Sequence, residues 1–252
     1  MSNEPRVCAI IPVYRHGKTL RNVVEKIMDK GLPCVIVDDG NGDETKSDIA
    51  AVKAAIPSVE IVSLPKNQGK GGAVMAGIRR ANELGYTHGF QIDADGQHDL
   101  GVIDEFLKIS EVNPEALVCG YPVYDESVPS SRKNGRKITN GWVAIETLSR
   151  DVEDAMCGFR LYPLASSYRV IRRSYIGKRM TFDIDILVRL HWAGVPMIFR
   201  PIKVIYPEDG ISNFRMVRDN VAISLMHTKL FFGMLLHSPV ILARKAVRHG
   251  AR

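Results

Sequence analysis

Short apolar runs that break at acidic or glycine-bearing turns constrain this chain most. Val7-Cys-Ala-Ile-Ile-Pro12-Val13-Tyr14, Cys34-Val-Ile-Val-Asp38-Asp39-Gly40 and Phe90-Gln-Ile-Asp93-Ala94-Asp95-Gly-Gln97-His98 are the leading examples. Unbroken apolarity over so few residues suits strands buried on both faces, as in a parallel sheet. Helical spacing fills the gaps between them. Leu20, Val23, Val24 and Ile27 mark a helix over 17–30, and further helices are expected over 44–55, from the glycine-rich turn at 67–77 to about 84, and over 99–110. Strands are expected at 59–64, 87–93 and 116–121. The alternation through residue 121 predicts an α/β fold, a Rossmann-like, mostly parallel central sheet flanked by helices.

Two of these strands end in acidic turns, Asp38-Asp39 and Asp93-Ala94-Asp95, which places both turns at one sheet edge and points to one ligand cleft. In an extended chain residues i and i+2 face the same side, so Asp93 and Asp95 aim two carboxylates together. With the Gln97 amide beside them they suit a divalent cation, Mg²⁺ or Mn²⁺, that carries a diphosphate. An acidic turn after a buried strand fits the same residues. Gly69 and Lys70, in Asn67-Gln-Gly69-Lys70-Gly71-Gly72, open a helix whose N-terminus suits phosphate. Gly71 after Lys70 rules out a Walker loop, and a tight strand-to-helix turn is the plainer alternative.

The second half is less regular. Residues 125–140 are polar and carry Arg132-Lys-Asn-Gly-Arg136-Lys137; they read as a mobile loop leading into a helix over 140–149. Its cations either clamp phosphate on closure or face solvent. Glu153-Asp154 returns toward the cleft. Asp183 and Asp185 read as first-turn acids of a helix. A last strand over 196–206 and a loop to Arg215 follow. Residues 216–237 then form a long apolar helix, with a basic tail after Pro239. That helix fits a membrane interface, a docked core helix or a dimer contact. The division expected is a catalytic region, 1–215, and a C-terminal amphipathic helix and tail, 216–252.

Charge placement supports an anionic partner at the C-terminal end. The net charge is +6, and from Arg200 onward nine Lys or Arg meet three Asp or Glu, so the first 199 residues are neutral. Phosphates or a membrane surface are favoured; the tail lacks the aromatic interleaving of a nucleic-acid binder. The four cysteines form no C-x-x-C pair and read as buried reduced thiols of a cytoplasmic protein. No signal-peptide core opens the chain, and no uncharged apolar run of about 18 residues marks a membrane span.

Taken in order, Ile11-Pro-Val-Tyr14, Val37-Asp-Asp-Gly40, Asn67-Gln-Gly-Lys-Gly71, Asp93-Ala-Asp-Gly-Gln-His98, Cys157-Gly-Phe-Arg160 and Gly210-Ile-Ser212 resemble the inverting family 2 glycosyltransferases of the GT-A fold. The nearest branch is the polyprenyl-phosphate (dolichol-phosphate) mannosyltransferase-like one, over residues 6–215. The resemblance implies that Pro12, Val13 and Tyr14 line a nucleotide pocket and that Asp38 and Asp39 meet nucleobase or ribose. Gly69, Lys70 and Ala94 would complete the nucleotide-sugar site. Asp93 and Asp95 would hold the metal–nucleotide complex with Gln97. Asp154 falls where the family often has an essential acid, a catalytic partner to Asp95. Arg132, Arg136 and Arg215 would bind diphosphate or acceptor phosphate. Arg15-His16 stands where the family usually has Asn-Glu.

A resemblance of this kind implies sugar transfer from a UDP- or GDP-sugar to a lipid-linked acceptor, polyprenyl phosphate or glycolipid. The work would be done by a protein held peripherally, with a homo-oligomer open, on the inner membrane face during cell-envelope glycan synthesis. Two rivals stand beside it. A sugar-phosphate nucleotidyltransferase needs a glycine-rich loop after the first strand, where Tyr14-Arg-His-Gly17 lacks one. A non-enzymatic nucleotide-sugar-binding or scaffold protein is the other.

Overall fold

The computed structural model describes residues 5–123, 130–203 and 215–250. Its framework is a seven-stranded sheet in the order β3-β2-β1-β4-β6-β5-β7. These strands are β1 (Val7–Val13), β2 (Cys34–Asp38), β3 (Glu60–Ser63), β4 (His88–Gln91), β5 (Leu117–Val123), β6 (Arg160–Pro163) and β7 (Met197–Lys203). β1, β2, β3 and β4 pair in parallel, as do β5 and β7. β6 runs antiparallel between β4 and β5, with Leu161 opposite Phe90 on one side and Val118 on the other. The sheet is therefore mostly parallel, as expected.

Alternation along β1 sorts its side chains onto two faces. Cys8 and Ile10 join a core roofed by α3 (Lys70–Glu83), α6 (Leu164–Arg173), α7 (Phe182–Trp192) and α8 (Met216–Gly250). Ala9 and Ile11 join the opposite core under α1 (Gly17–Met28), α2 (Asp43–Ala55) and α4 (Ile103–Val112). There Phe90, Phe106 and Phe159 form a ring cluster with centroids 4.7–5.4 Å apart. Such offset and tilted contacts are the favoured aromatic geometry.

The second half departs from expectation in three places. First, β6 and α6 were not foreseen. β6 is four residues long, starts at a buried arginine and ends at a proline, so no apolar run announces it. Second, the cationic stretch is not a loop as far as Asn140: α5 spans Ser130–Glu146. Lys and Arg are good helix formers, and with Ile138 and Trp142 turned to solvent the stretch shows no apolar stripe. Third, α8 does not stop before Pro239 but runs to Gly250. A proline in a helix leaves the carbonyl four residues back unpaired. Here Ser238 Oγ donates to that carbonyl, Leu235 O, at 2.8 Å, and the helix continues.

α8 is long and apolar enough over Met216–Val247 to cross a membrane by length and composition. It is also docked along one side. His227 Nδ1 lies 2.8 Å from Glu146 Oε1 of α5, Arg244 donates to Trp192 O at 2.6 Å, and Lys245 donates to Leu148 O. The opposite side presents Val221, Leu225, Phe232, Leu235 and Leu236 to the outside, with Leu236 82% exposed.

Candidate functional site

The C-terminal ends of β1, β2 and β4 meet at one edge of the sheet, and a cavity of about 800 Å³ opens there. Pro12 and Val13, at the end of β1, and Tyr14 just after it form one of its walls. Arg15 follows in a left-handed conformation (φ 65°), its N–H donating to Asn41 Oδ1 at 2.8 Å and its guanidinium 5.1 Å from the Tyr14 ring centroid. A non-glycine residue in that region is strained and persists only where its surroundings fix it. Asn41 fixes it: its amide also donates to Val13 O and Asp38 Oδ1. Asp38 is buried on Asn41 and lies off the cavity wall. It supports the turn.

Asp39 reaches the cavity. Its carboxylate accepts from the Gln68 and Gly69 N–H groups at 2.7 and 2.9 Å and from Asn67 Nδ2 at 2.8 Å. Burial pushes its pKa up, against the pull of those N–H groups and Arg179. Gly69 is required there: at φ 86° a Cβ would sit 2.7 Å from Lys178 O and Arg179 Cγ.

Lys70, the first residue of α3, points across the cleft. Its Nζ lies 2.8 Å from Asp93 Oδ2 and 3.6 Å from Asp183 Oδ2. Burial opposes its charge, but Asp183 and Asp93 outweigh that and raise its pKa. Gly158 leaves the room, because a Cβ there would strike Lys70 Nζ and lie 2.7 Å from Gln91 Nε2. Burial tends to raise the Asp93 pKa, but Lys70 and His98 hold it below the ordinary carboxylate value. Asp93, Ala94 and Asp95 all line the cavity. Gln97 gives its backbone N–H to Asp95 Oδ1 at 3.0 Å.

Two buried polar atoms here have no hydrogen-bond partner, Asp93 Oδ1 and His98 Nδ1. An unsatisfied buried carboxylate oxygen is costly and calls for a ligand. Among the described residues no group of three or more His, Cys, Asp or Glu forms a metal cage. Mg²⁺-type cations are commonly held by one or two carboxylates plus substrate phosphates. Asp93 and Asp95 fit that donor set.

Asp154 is buried and lies off the cavity wall. Its Oδ2 pairs with Arg136 of α5, and its Oδ1 accepts from the Met156 and Cys157 N–H groups at 2.8 and 2.7 Å. Arg132 lies in α5 with its side chain outside the described residues, as is the whole Gly210-Ile211-Ser212 motif. Arg215, Arg218, Asp219 and Ile223 line the cavity, so the start of α8 is one of its walls.

Asp183 is the functional candidate that sequence reasoning passed over. It is a first-turn acid of α7, yet it lines the cavity, approaches Lys70 and accepts from Gln91 Nε2 at 3.2 Å. Asp185, two residues on, turns away to Arg189 and the Gly177 N–H. The buried Arg160 ties the motif loop to α7 by donating to Asp183 O at 2.6 Å and Ala155 O at 2.8 Å.

Residues 8–179 match the model of glycosyl transferase family 2. The chain belongs to that family. It is 26% identical to a dolichyl-phosphate beta-glucosyltransferase of Dictyostelium discoideum, over 71% of this chain but 57% of that protein. The chain thus spans under two thirds of the length of such glucosyltransferase relatives. It is 29% identical to an undecaprenyl-phosphate mannosyltransferase of Micrococcus luteus, over 82% of this chain and 86% of the relative. It is 25% identical to a UDP-N-acetylglucosamine–dolichyl-phosphate N-acetylglucosaminyltransferase of Methanococcus voltae, over 90% and 94%.

Among solved structures, glucosyl-3-phosphoglycerate synthase from Mycobacterium tuberculosis, in complex with Mn²⁺, UDP-glucose and phosphoglyceric acid, aligns with a TM-score of 0.61. The match is 12% identical and covers 92% of this chain and 79% of that one. A mannosyltransferase from Pyrobaculum calidifontis with GDP-Man and Mn²⁺ aligns at 0.59 and 15% identity, over 100% and 77%. The fold is GT-A.

Proposed function

We propose that this family 2 protein is an inverting glycosyltransferase that moves a sugar from a UDP- or GDP-sugar to a lipid-linked phosphate. One observation carries the reading. The unpartnered Asp93 Oδ1 and its neighbour Asp95 lie in a cavity walled on one side by the strand ends and on the other by the first turns of an outwardly apolar helix. A nucleotide diphosphate fits the first wall and a lipid-borne acceptor the second.

Tyr14 and Asp39 would hold the nucleoside end. Asp93 and Asp95 would hold a Mg²⁺ or Mn²⁺ ion, which when bound supplies positive charge to the diphosphate. Breaking the sugar–diphosphate bond builds negative charge on the leaving group. Fixed cations already aimed at that charge lower the barrier without reorganising. Lys70, Arg15, Arg179 and Arg215 are placed for this. Gln97 would complete the Asp95 side through its N–H.

The state of Asp154 favours a phosphate acceptor over a hydroxyl. A hydroxyl must lose its proton to a base, and Asp154 is engaged by Arg136 and two N–H groups. A lipid phosphate is already anionic at pH 7 and needs no base. Asp154 then serves to hold the 154–157 turn and to aim Arg136, which an incoming phosphate would share.

We further propose that 1–215 is the catalytic part and that 216–252 sets it on the membrane. α8 lies in the interface with its apolar side down, on the cytoplasmic face where nucleotide sugars are made. Docking to α5 and α7 argues against spanning, because a spanning helix would carry the domain into the bilayer. The test is transfer of label from UDP- or GDP-sugars to polyprenyl phosphate in vesicles. The reading requires Mn²⁺- or Mg²⁺-dependent product that Asp95→Asn removes. Label passing equally to the Asp95→Asn product, or released only as free sugar, would refute it.

A further inference from the structure

A second, larger cavity of about 1260 Å³ lies beside the catalytic one, between the loop after α6 and the flank of α8. Six cations line it, Lys66, Arg173, Lys178, Arg179, Arg189 and Lys229, against one acid, Asp185. That acid is already paired with Arg189 at 2.6 Å. Lys178 is held by Gln68 Oε1 at 2.8 Å. Among the described residues the side chains of Lys66, Arg173 and Lys229 make no ion pair or hydrogen bond. Concentrated like charge without counter-charge is unfavourable unless an anion comes to it.

The α8 wall sets Leu225, Met226 and Leu230 beside Lys229. Leu225 also belongs to the outward apolar side of the helix and is 57% exposed. Tyr175, on the rim, is 80% exposed. A tyrosine beside an apolar surface and a cationic pocket is the arrangement found where proteins meet a membrane–water boundary.

We propose that this cavity binds the phosphate headgroup of an anionic membrane glycerophospholipid. The headgroup meets Lys66, Arg173 and Lys229, and its acyl chains leave past Leu225 along the outer side of α8. The ligand is amphiphilic because the pocket is: its cations, Lys229 of α8 among them, adjoin the apolar residues of the same helix. Bound this way, the lipid fixes the rotation of α8 at the surface. It also holds the catalytic cavity, which shares Asn67 and Arg179 with this one, at a set height. The three headgroup cations are distinct from those placed on the diphosphate, and the test needs no donor or acceptor.

Flotation of the full chain is measured with vesicles of phosphatidylcholine alone and with one fifth phosphatidylglycerol. A Lys66→Ala/Arg173→Ala/Lys229→Ala variant is compared with a Lys26→Ala/Lys46→Ala/Lys108→Ala control, which removes the same charge from α1, α2 and α4 across the sheet. A cation near an anionic surface is worth about fivefold in partitioning, so the pocket variant should lose about 100-fold and the control much less. The three pocket side chains are exposed and unpaired, so the fold should survive. Arg173→Glu alone is the second variant, expected to weaken binding at unchanged melting temperature.

Equal losses in both triple variants would assign the attraction to diffuse charge and overturn the proposal. Binding that ignores phosphatidylglycerol would overturn it as well. So would glycerol 3-phosphate that raises the melting temperature of wild type but not of the pocket variant, with the two floating alike; the ligand would then be a soluble phosphate.

Discussion

His227→Ala tests how α8 is held. Glu146 is fully buried and His227 Nδ1 is 2.8 Å from its Oε1; Glu146 Oε2 and His227 Nε2 have no partner. Removing the imidazole leaves a buried carboxyl with no partner in place of a hydrogen-bonded pair. Breaking one side of a buried pair costs about 3–5 kcal/mol. Burial already raises the Glu146 pKa, with His227 pulling it back, so the group can shed part of its charge and the low end applies. About 3 kcal/mol corresponds to a fall of about 6–12 °C in melting temperature for a chain of this size.

Thermal and urea unfolding followed by circular dichroism read the loss. Glu146→Leu/His227→Leu should cost less than His227→Ala, because no buried carboxyl remains. The pH dependence has a definite sign. A carboxyl whose folded pKa exceeds its unfolded one binds more protons when folded, so stability rises as pH falls through the folded pKa toward the ordinary glutamate value. Wild type should therefore gain on Glu146→Gln as pH is lowered over that window. A His227→Ala protein within about 0.5 kcal/mol of wild type, well under the range above, would refute the reasoning.

Three other outcomes are expected. Gly69→Ala, at φ 86° with its new Cβ 2.7 Å from Lys178 O, should destabilise by about 1–3 kcal/mol in urea unfolding and weaken nucleotide binding through Asp39. The buried thiols of Cys8, Cys34 and Cys119, pushed up to about 12, and of Cys157, to about 11, should ignore a disulfide reagent at pH 8 until the chain unfolds; prompt native labelling would contradict the burial. Phe232→Asp/Leu236→Asp, at positions 61% and 82% exposed, should release the protein from vesicles with little change in melting temperature; retention would place the membrane contact elsewhere.

That Asp39, Asp93 and Asp95 share one cleft was legible because the physics that brings them together is local. β1 is apolar throughout and β2 apolar up to Asp38, and Asp39, Asp93 and Asp95 lie in the turns that leave buried strand ends, so the turn positions carry the cleft. Asp183 was hidden. On a helix, residues two apart do not share a side. Asp183 and Asp185 look alike in sequence, and only the tertiary placement of Lys70 separates their roles. β6 was hidden because Arg160 is buried for its hydrogen bonds to two carbonyls, against the usual pattern for a charged side chain. Pro239 misled for a similar reason: the residue that repairs the helix, Ser238, is its neighbour, and a serine before a proline reads as a turn.

The central claim is that Asp93 and Asp95 receive a nucleotide sugar through a divalent cation. The most direct measurement is the melting temperature of wild type and Asp95→Asn against UDP- and GDP-sugars, with and without Mn²⁺. A ligand at 100 times its dissociation constant adds about 2.7 kcal/mol, a rise of about 5–10 °C here. The account predicts that rise for one nucleotide class, in wild type, with Mn²⁺ present, and its loss in Asp95→Asn. A rise that needs no metal, or that persists in Asp95→Asn, would contradict it.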